Sequence, residues 1–372
     1  MKKKILPIIF CSFILIFCLL TIILPKSARS ANEKRVLATF PEFSWESFKT
    51  GSFMSDFDTY VADHFAFREK WVGLYSYISL YTGLGGGSDI YACDDNYLIA
   101  APKTYNETLA LGNLNKIEAF TKDKVIPTYL MIVPETGYIL DDKLPSKHKE
   151  YYDDKLFEAA KNIDINLIDL RPSFKKSKDN TDIYYRTDHH VTSEGALIMY
   201  NEFCKALEFT PKEFVLDRTV DGFYGTSYSK SGLWLKKPDS INIYKCKDGE
   251  SDFSIEIDNK SYDSLFFEDK LKTEDKYEVF INGNHGLTVI KNNSIKETDE
   301  GYKRHLLIVK DSFSHCFTTF LAENYEEIVL IDLRYYKRGA TKIINDYDIT
   351  ETLFLYGAEN LATGTDFGWL NF

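Results

Sequence analysis

Apolar and polar positions along the chain form blocks whose period alternates between that of a helix and that of a strand. After the first forty residues, Phe53, Phe57 and Tyr60 recur at three- and four-residue spacing, which predicts helix. Further on, short apolar runs are separated by segments of helical period, and Thr192 or Ser193 is a suitable cap for one of these helices. Strands that alternate with helices predict a parallel α/β sheet.

The predicted elements are identified by their sequence segments. The helical segments are NLNKIEAFTK, DDKLFEAAKN, TSEGALIMYNEFCKAL, FSHCFTTFLAENY and GATKIINDY. The strand segments are VIPTYLMIVPE, INLIDL, RHLLIVKDS, EEIVLIDLR and ITETLFLYGAEN. In addition, GGGSD breaks the first helical region, and IYACDDNYLIA predicts a short hairpin.

The interval from about residue 211 to residue 298 has a different pattern. Its short runs are rich in β-branched and aromatic residues and are separated by turn residues; they are SINIYKCKD, FSIEIDN, KYEVFINGN and LTVIKNN. This pattern predicts strands. We therefore predict a β-rich insertion between two parts of one α/β domain.

The first thirty residues form a separate segment. After three lysines, the run ILPIIFCSFILIFCLLTIIL contains no charge and is long enough to cross a bilayer as a helix. Lysines before the run favour a cytoplasmic N-terminus. We predict a single-pass anchor over residues 1–30 and an exported domain over residues 31–372. A cleaved signal peptide, which would give a secreted protein, is the alternative.

Composition excludes some classes of protein. The chain is 44% hydrophobic and carries a formal charge of -11, so it lacks the basic footprint of a nucleic-acid-binding protein. Outside the first thirty residues, the cysteines are Cys93, Cys204, Cys246 and Cys316, and no C-x-x-C pair occurs. This spacing predicts neither a zinc site nor a disulfide framework.

Polar residues cluster at the carboxyl ends of three predicted strands, where α/β sheets gather their functional groups. The first cluster lies in YYRTDHHVTSEGA, the second in LLIVKDSFSHCF and the third in LFLYGAENLA. Each cluster also has an ordinary structural explanation, as a helix cap, a local hydrogen bond or a turn. Their occurrence at three strand ends suggests a shared site.

The three clusters together supply the groups of a serine hydrolase. In an extended segment, alternation would place Asp188 and His190 on one side and His189 on the other. His190 could then accept the proton of Ser312, while Asp188 holds the second ring nitrogen. The N–H groups that open the helix after Ser312 favour an oxyanion, and Asn360 could add a donor.

Two local alternatives compete with this hypothesis. Ser227, in GTSYS, is a second candidate nucleophile, but Ser312 has the strand–serine–helix context that supplies oxyanion donors. Asp188, His189 and His190 are potential metal ligands, but adjacent side chains of an extended segment point apart. The other histidines form no H-x-x-x-H pair. We therefore expect neither a metal nor a cofactor.

The sequence from Phe40 to Phe372 resembles the DHHW family of exported bacterial proteins, which are related to the alginate O-acetylation proteins with an SGNH-hydrolase-like domain. The resemblance is carried by FPEFSWESFKTGSFMSDFDTYVADHFAFREKW, YLIA, MIVPE, YYRTDHHVT, FYGTSYSKSG, FINGNHGLTVI, LLIVKDSFSHCFTTFLAENYEEIVLIDLRYY and LFLYGAEN. Val191 stands where the family has Trp. We expect Val191 to pack apolarly beneath its loop, and the loss of the ring to affect the shape of the substrate site.

The resemblance implies a circularly permuted SGNH-hydrolase-like fold: a parallel sheet flanked by helices, with the β-rich insertion and an N-terminal transmembrane helix. The histidine block precedes the serine block, which is the permuted order. Ser312 then resembles the nucleophile, His190 the base and Asp188 its partner. Additional candidates for oxyanion or substrate contact are Asn360, Arg334 and Asp311.

The implied function is O-acetylation of an exported cell-envelope polysaccharide. The implied partner is a polytopic membrane acyltransferase of the MBOAT type that passes acetyl groups across the membrane. A carbohydrate acetylesterase with the same three residues is an alternative. A non-catalytic glycan-binding or scaffold protein is a further alternative, and Val191 is the feature that favours it.

Overall fold

The computed structural model describes residues 2–83, 89–122, 126–249, 251–295 and 304–371. The predicted break at GGGSD falls mainly on residues 84–88, which lie outside the described residues. The last residues of the predicted β-rich interval, 296–298, also lie outside them. The described helices are α1 Lys2–Ile23, α2 Trp45–Thr50, α3 Ser52–His64, α4 Arg68–Tyr81, α5 Glu107–Lys122, α6 Thr136–Ile139, α7 Asp153–Lys161, α8 Arg171–Ser177, α9 Ser193–Ala206, α10 Thr226–Ser231, α11 Ser314–Leu321, α12 Ala340–Asp346 and α13 Ala358–Thr363.

The described strands are β1 Arg29–Ser30, β2 Arg35–Val36, β3 Ile90–Ala92, β4 Leu98–Ala100, β5 Thr128–Val133, β6 Asn166–Asp169, β7 Phe214–Phe223, β8 Asp239–Cys246, β9 Phe253–Ile257, β10 Lys260–Tyr262, β11 Leu287–Asn292, β12 His305–Lys310, β13 Glu327–Ile331 and β14 Glu351–Gly357. Short 3-10 helices occupy Asp94–Asn96, Asp141–Lys143, Glu268–Lys272, Lys276–Val279, Ala322–Asn324 and Asp366–Asn371.

The chain packs as two compact units. One consists of Met1–Ile90 with Tyr228–Lys236, and the other of Tyr91–Ser227 with Lys237–Phe372. Every candidate site residue belongs to the second unit. The predicted boundary of an exported domain at residue 31 remains a prediction.

The second unit is built on an eight-stranded sheet with the order β10-β9-β11-β13-β12-β14-β5-β6. The five strands from β13 to β6 are parallel, and this confirms the predicted α/β class. Strands β9 to β11 continue the same sheet in antiparallel pairing, while β7 and β8 form a separate hairpin. The β-rich interval therefore extends the central sheet as well as adding a hairpin.

The apolar core lies on both faces of this sheet. In β12, Leu306 and Ile308 belong to one core cluster, whereas Leu307 and Val309 belong to the other. All four side chains are fully buried. The cluster of Leu306 includes residues of α9 and α11, and the cluster of Leu307 includes residues of α5 and α12. A strand that is covered on both faces explains the continuous apolar run seen in the sequence.

One predicted strand, KYEVFINGN, is wrong. Its first half is the 3-10 helix Lys276–Val279, and Ile281 and Asn282 have φ angles of +48° and +62°. These backbone angles lie in the left-handed region, so the segment cannot continue as a strand. The predicted hairpin around Asp94–Asn96 is confirmed, because β3 pairs with β4.

Helix α1 contains a stretch, Ile5–Ile23, that is long and apolar enough to cross a membrane. None of this stretch is buried inside the protein. A cleaved signal sequence would meet the same criterion of length and composition.

Candidate active site

The segment that carries Asp188 and His190 is a tight loop. Tyr184 and Val191 form an isolated antiparallel bridge, and the backbone N–H of Tyr185 donates to the carbonyl of His190 at 3.2 Å. The residues between them are bends. The alternation expected for an extended segment therefore does not apply here. Val191 is fully buried at the base of the loop.

A buried carboxylate holds the loop from the inside. Asp239 accepts hydrogen bonds from the backbone N–H groups of Arg186 at 2.9 Å and Thr187 at 2.8 Å, and from the Thr187 hydroxyl at 2.5 Å. Burial raises the pKa of Asp239, although these three donors oppose the effect. The loop is thus tied to the first residue of β8.

The loop brings Asp188 and His190 to Ser312. Asp188 Oδ1 lies 2.5 Å from His190 Nδ1, and the Nε2 atom of the same ring lies 2.7 Å from Ser312 Oγ. The three residues are 2%, 7% and 8% exposed. When Nδ1–H donates to Asp188, Nε2 is left as an acceptor for the serine hydroxyl. The three predicted residues are therefore brought together in the order that serine chemistry requires.

The second oxygen of Asp188 is held by Thr226, at the start of α10. The Thr226 backbone N–H donates to Asp188 Oδ2 at 2.6 Å, and its hydroxyl donates at 3.0 Å. Burial by itself would raise the pKa of Asp188. The neighbouring histidines and the hydrogen bonds to this carboxylate outweigh burial and hold its pKa well below the ordinary value. Asp188 is therefore ionised.

The same threonine connects to His189. Its Oγ1 lies 2.7 Å from His189 Nδ1, so His189 donates to the hydroxyl that in turn donates to Asp188. The His189 ring lies 3.9 Å from the ring of His190, with an interplanar angle of 36°. The expectation that His189 faces the opposite side is wrong, because the loop bends at these residues.

The loop also gathers three potential metal ligands. Ligand atoms of Asp188, His189 and His190 all lie within 4.8 Å of one another, so the argument that adjacent side chains point apart is wrong here. Both oxygens of Asp188 and both ring nitrogens of His190 already take part in hydrogen bonds. A cation would have to displace these bonds, and the absence of a metal stays a prediction.

Two aromatic rings enclose His190. The Tyr277 ring is stacked on the imidazole at 4.1 Å and 11°, and the Phe313 ring meets it at 5.3 Å and 61°. Tyr277 is 4% exposed. It comes from the segment wrongly predicted as a strand, so the sequence pattern did not identify it as a site residue. Its stacked ring limits the access of water to the base.

Asp311 fixes the turn that carries Ser312. Its Oδ1 accepts from the backbone N–H of Phe313 at 3.0 Å, and its Oδ2 accepts from Gly357 N–H and from the Asn360 side chain, both at 2.8 Å. Burial raises the pKa of Asp311, and these hydrogen bonds act against that rise. The end of β14 and the serine turn are thereby joined through one carboxylate.

The backbone N–H of Ser312 is the nearest candidate for an oxyanion donor. Among the described residues, no acceptor takes a hydrogen bond from this N–H. Asn360 directs its side-chain N–H at Asp311, and Arg334 forms a bidentate pair with Asp332. Contact of Asn360, Arg334 or Asp311 with an oxyanion or a substrate stays a prediction.

A buried charged group lies directly behind the serine turn. Lys310 Nζ lies 3.0 Å from His315 Nε2 and 3.5 Å from Asp332 Oδ2. Burial lowers the pKa of Lys310 to about 8, while the charge of Asp332 raises it. Burial and the charge of Lys310 hold the pKa of His315 well below its ordinary value, so His315 is neutral.

Comparisons with known proteins place the site in a family context. The sequence model of the family described as DHHW protein matches residues 113–331, which include Asp188, His190 and Ser312 but not Arg334 or Asn360. No curated protein sequence matches the chain.

Several solved structures share the fold. A DHHW family protein from Eubacterium siraeum is 21% identical, with 75% of this chain and 94% of that chain covered and a TM-score of 0.62. PatB1 from Bacillus cereus, solved with a sulfonyl adduct, is 22% identical, with 77% and 99% covered and a TM-score of 0.62. The O-acetyltransferase domain of Pseudomonas putida AlgJ is 13% identical, with 77% and 96% covered and a TM-score of 0.50.

Proposed function

The chain belongs to the DHHW family, and on that premise we propose that it transfers an acyl group, in particular acetyl, to a hydroxyl of an exported cell-envelope polysaccharide through Ser312. The observation that carries the proposal is the continuous series of hydrogen bonds from Asp188 through His190 to Ser312, with distances of 2.5 Å and 2.7 Å. The naming of the AlgJ domain as an O-acetyltransferase supports the choice of acetyl.

In the first half of the reaction, Ser312 Oγ attacks the carbonyl carbon of the acyl donor while His190 Nε2 accepts the serine proton. The oxyanion receives a hydrogen bond from the backbone N–H of Ser312. The bond between the carbonyl carbon and the leaving oxygen breaks, and His190 returns the proton to that oxygen. The product is an acyl-Ser312 ester.

In the second half, His190 accepts the proton of the sugar hydroxyl as its oxygen attacks the acyl-serine carbonyl. Collapse of the second tetrahedral intermediate returns the proton to Ser312 Oγ and releases the acylated glycan. Asp188 holds the Nδ1–H tautomer and stabilises the imidazolium in both halves. The Tyr277 ring, stacked on the imidazole at 4.1 Å, helps to keep the ring of His190 in place in both halves.

The proposal includes a cellular arrangement. The stretch Ile5–Ile23 stays in the membrane as an anchor, and the chain after it is exported. The acyl donor on that side is supplied by a polytopic membrane acyltransferase of the MBOAT type, the partner that the resemblance to the family implies. Asn360, Arg334 and Asp311 are proposed to contact the oxyanion or the substrate, directly or through the serine turn.

The test is capture of the acyl-enzyme. The full chain is mixed with a chromogenic acetyl ester, quenched in acid and analysed by intact mass and peptide mapping; we expect one added acetyl group on the Ser312 peptide. An aryl sulfonyl fluoride should modify the same peptide, and prior labelling should abolish turnover. Equal turnover by wild type and Ser312→Ala would remove the nucleophile from the proposal.

Product analysis separates transfer from hydrolysis. With envelope oligosaccharides present, a transferase gives acetylated sugar at the expense of free acetate, whereas an acetylesterase gives acetate at an unchanged rate. A non-catalytic glycan-binding protein would give neither an acyl-enzyme nor turnover. The burial of Val191 away from solvent supports retention of the loop geometry without the family Trp.

A further inference from the structure

Helix α4 has an inverted distribution of apolar and polar side chains. Its exposed face carries an apolar stripe of residues that are between 39% and 83% exposed, namely Trp71, Leu74, Tyr75, Ile78 and Tyr81. Its buried positions include Ser76 and Ser79, which are 3% and 2% exposed. A surface helix of a water-soluble protein places its apolar residues inward and its polar residues outward. In α4, by contrast, the two fully buried residues are serines, and five large apolar side chains lie on the exposed face.

The first turn of α4 touches the membrane-spanning stretch. The Phe17 ring lies 5.8 Å from the ring of Phe65, stacked at 13°, and 5.6 Å from that of Trp71, edge-on at 64°. In addition, the backbone N–H of Ala66 donates to the Thr21 hydroxyl at 3.1 Å. Phe17 precedes the end of the stretch by six residues, which is about 9 Å along a helix axis. The start of α4 therefore packs against the last two turns of this stretch.

The connection between the span and α4 is held in place. The Ser30 hydroxyl and the Asn32 side chain donate to Glu69 at 2.5 Å and 2.7 Å, and Arg68 pairs with Glu33 at 2.5 Å. These bonds join the residues just after the span to the first turn of α4. The linker therefore holds the start of α4 beside the end of the span.

We propose that α4 lies along the outer interface of the bilayer with its apolar stripe in contact with lipid. Lipid is the occupant that the composition favours, since the stripe combines Trp and Tyr, which concentrate at membrane interfaces, with Leu and Ile. The stripe runs about 15 Å along the helix, from Trp71 to Tyr81. The inference rests on the retained anchor of the proposed function. If α4 lies in this position, the unit that contains it rests on the outer surface of the bilayer.

The experiment uses the full chain in vesicles whose lipid acyl chains are brominated, because bromine quenches indole fluorescence on contact. The four native tryptophans are replaced by Phe, and one reporter is introduced as Ile78→Trp on the stripe. Thr59→Trp, at an exposed position of α3, is the matched control. We expect the Ile78→Trp reporter to lose most of its emission in brominated vesicles and the Thr59→Trp reporter to keep its emission.

Two results would overturn the proposal. Emission from Ile78→Trp that is unaffected by bromine but quenched by aqueous iodide would place the stripe in water. Emission that is shielded from both quenchers would mean that protein, such as a second copy of this chain or a membrane protein, covers the stripe. If circular dichroism shows that the Phe replacements prevent folding, each reporter is introduced into the chain that keeps its four native tryptophans. The emission that bromine quenches is then compared with that of the chain without the reporter.

The failure of the anchor is recognised separately. A chain that begins near Ala31 and does not float with the vesicles has lost its span, and this outcome overturns both the anchor and the lipid contact. A chain with an intact N-terminus that floats with the vesicles confirms the anchor. In that case, the reporters alone decide the position of the stripe.

Discussion

Gly225 approaches Asp188 so closely that position 225 has no room for a side chain. A Cβ atom there would lie 2.1 Å from Asp188 Cβ and 2.4 Å from Asp188 Oδ2. This approach allows the next backbone N–H, that of Thr226, to reach the same carboxylate. The glycine therefore belongs to the support of the candidate base, although it lies 87 residues before Ser312 in the sequence.

Gly225→Ala should fold but lose activity. The added methyl group must displace Asp188, and a displacement of about 1 Å in such a site costs roughly 100-fold in rate. The measurement is kcat/KM for a chromogenic acetyl ester. Gly112→Ala is the control, since no atom lies within 4 Å of the added Cβ and alanine favours the helix α5. Equal activity of the two variants would contradict the role given to Gly225.

The two candidate serines should differ sharply. We expect Ser312→Ala to lower acetyl ester turnover by at least roughly 1,000-fold, as removal of a serine nucleophile does. Ser227→Ala should keep most of the activity. The segment around Ser227 has a supporting role in the site, because its Thr226 donates to Asp188 and the substitution leaves that residue in place. Loss of turnover in Ser227→Ala with turnover retained in Ser312→Ala would move the nucleophile to Ser227.

Thr226→Val should weaken the site without removing it. The variant loses the hydroxyl that donates to Asp188 at 3.0 Å, and a hydrogen bond to a charged group corresponds to roughly a tenfold effect. With one donor fewer, Asp188 is held less firmly, so kcat/KM for a chromogenic acetyl ester, measured as a profile across pH, should lie below the wild-type profile. Thr226→Ser keeps the hydroxyl and should restore the wild-type profile. A valine variant with an unchanged profile would contradict this assignment.

Stability should fall as the pH rises, and Glu135 is one cause. Burial, reinforced by the charge of Asp153, raises the pKa of Glu135 from 4.5 to about 9 in the folded protein. The folded state therefore binds more protons than the unfolded state between these pH values, and unfolding becomes easier as pH rises through them. Glu135→Gln should flatten Tm between pH 5 and 9. Glu150→Gln, at an exposed position, should leave the slope unchanged.

Metal ions should inhibit the reaction and not support it. Chelation by EDTA should leave acetyl ester turnover unchanged, because Asp188 and His190 are engaged in hydrogen bonds that the proposed reaction uses. Added Zn²⁺ should inhibit by competing for the ligand atoms gathered within 4.8 Å, and His189→Ala should weaken that inhibition. Loss of turnover in EDTA that Zn²⁺ restores would instead indicate a metal site.

The fold followed from the sequence wherever burial determines the pattern. Strands such as β12 and β14 are covered on both faces, so their central positions are continuously apolar and the run stands out in the sequence. The prediction of a strand failed where backbone conformation, and not burial, determines the secondary structure. In KYEVFINGN, apolar residues suited a strand, but the left-handed angles at Ile281 and Asn282 turn the chain, and burial alone does not predict such a turn.

The candidate site was predictable in its reacting groups and not in its supports. Ser312 and His190 stand beside predicted strand ends, where chemistry is expected. Thr226 and Tyr277 reach the site from turns that the hydrophobic pattern does not specify. His189 was placed on the wrong side because alternation was applied to residues that form a bend.

The separation of 122 positions between His190 and Ser312 imposes an order of assembly on the chain. Synthesis proceeds from the N-terminus, so the loop with the base exists well before β12 and the serine turn. The pair forms only after this long-range closure, which is slow compared with local helix formation. A chain whose β12 has not yet been made or exported therefore lacks the contact between His190 and Ser312, and the proposed acylation has to wait until the exported domain is complete.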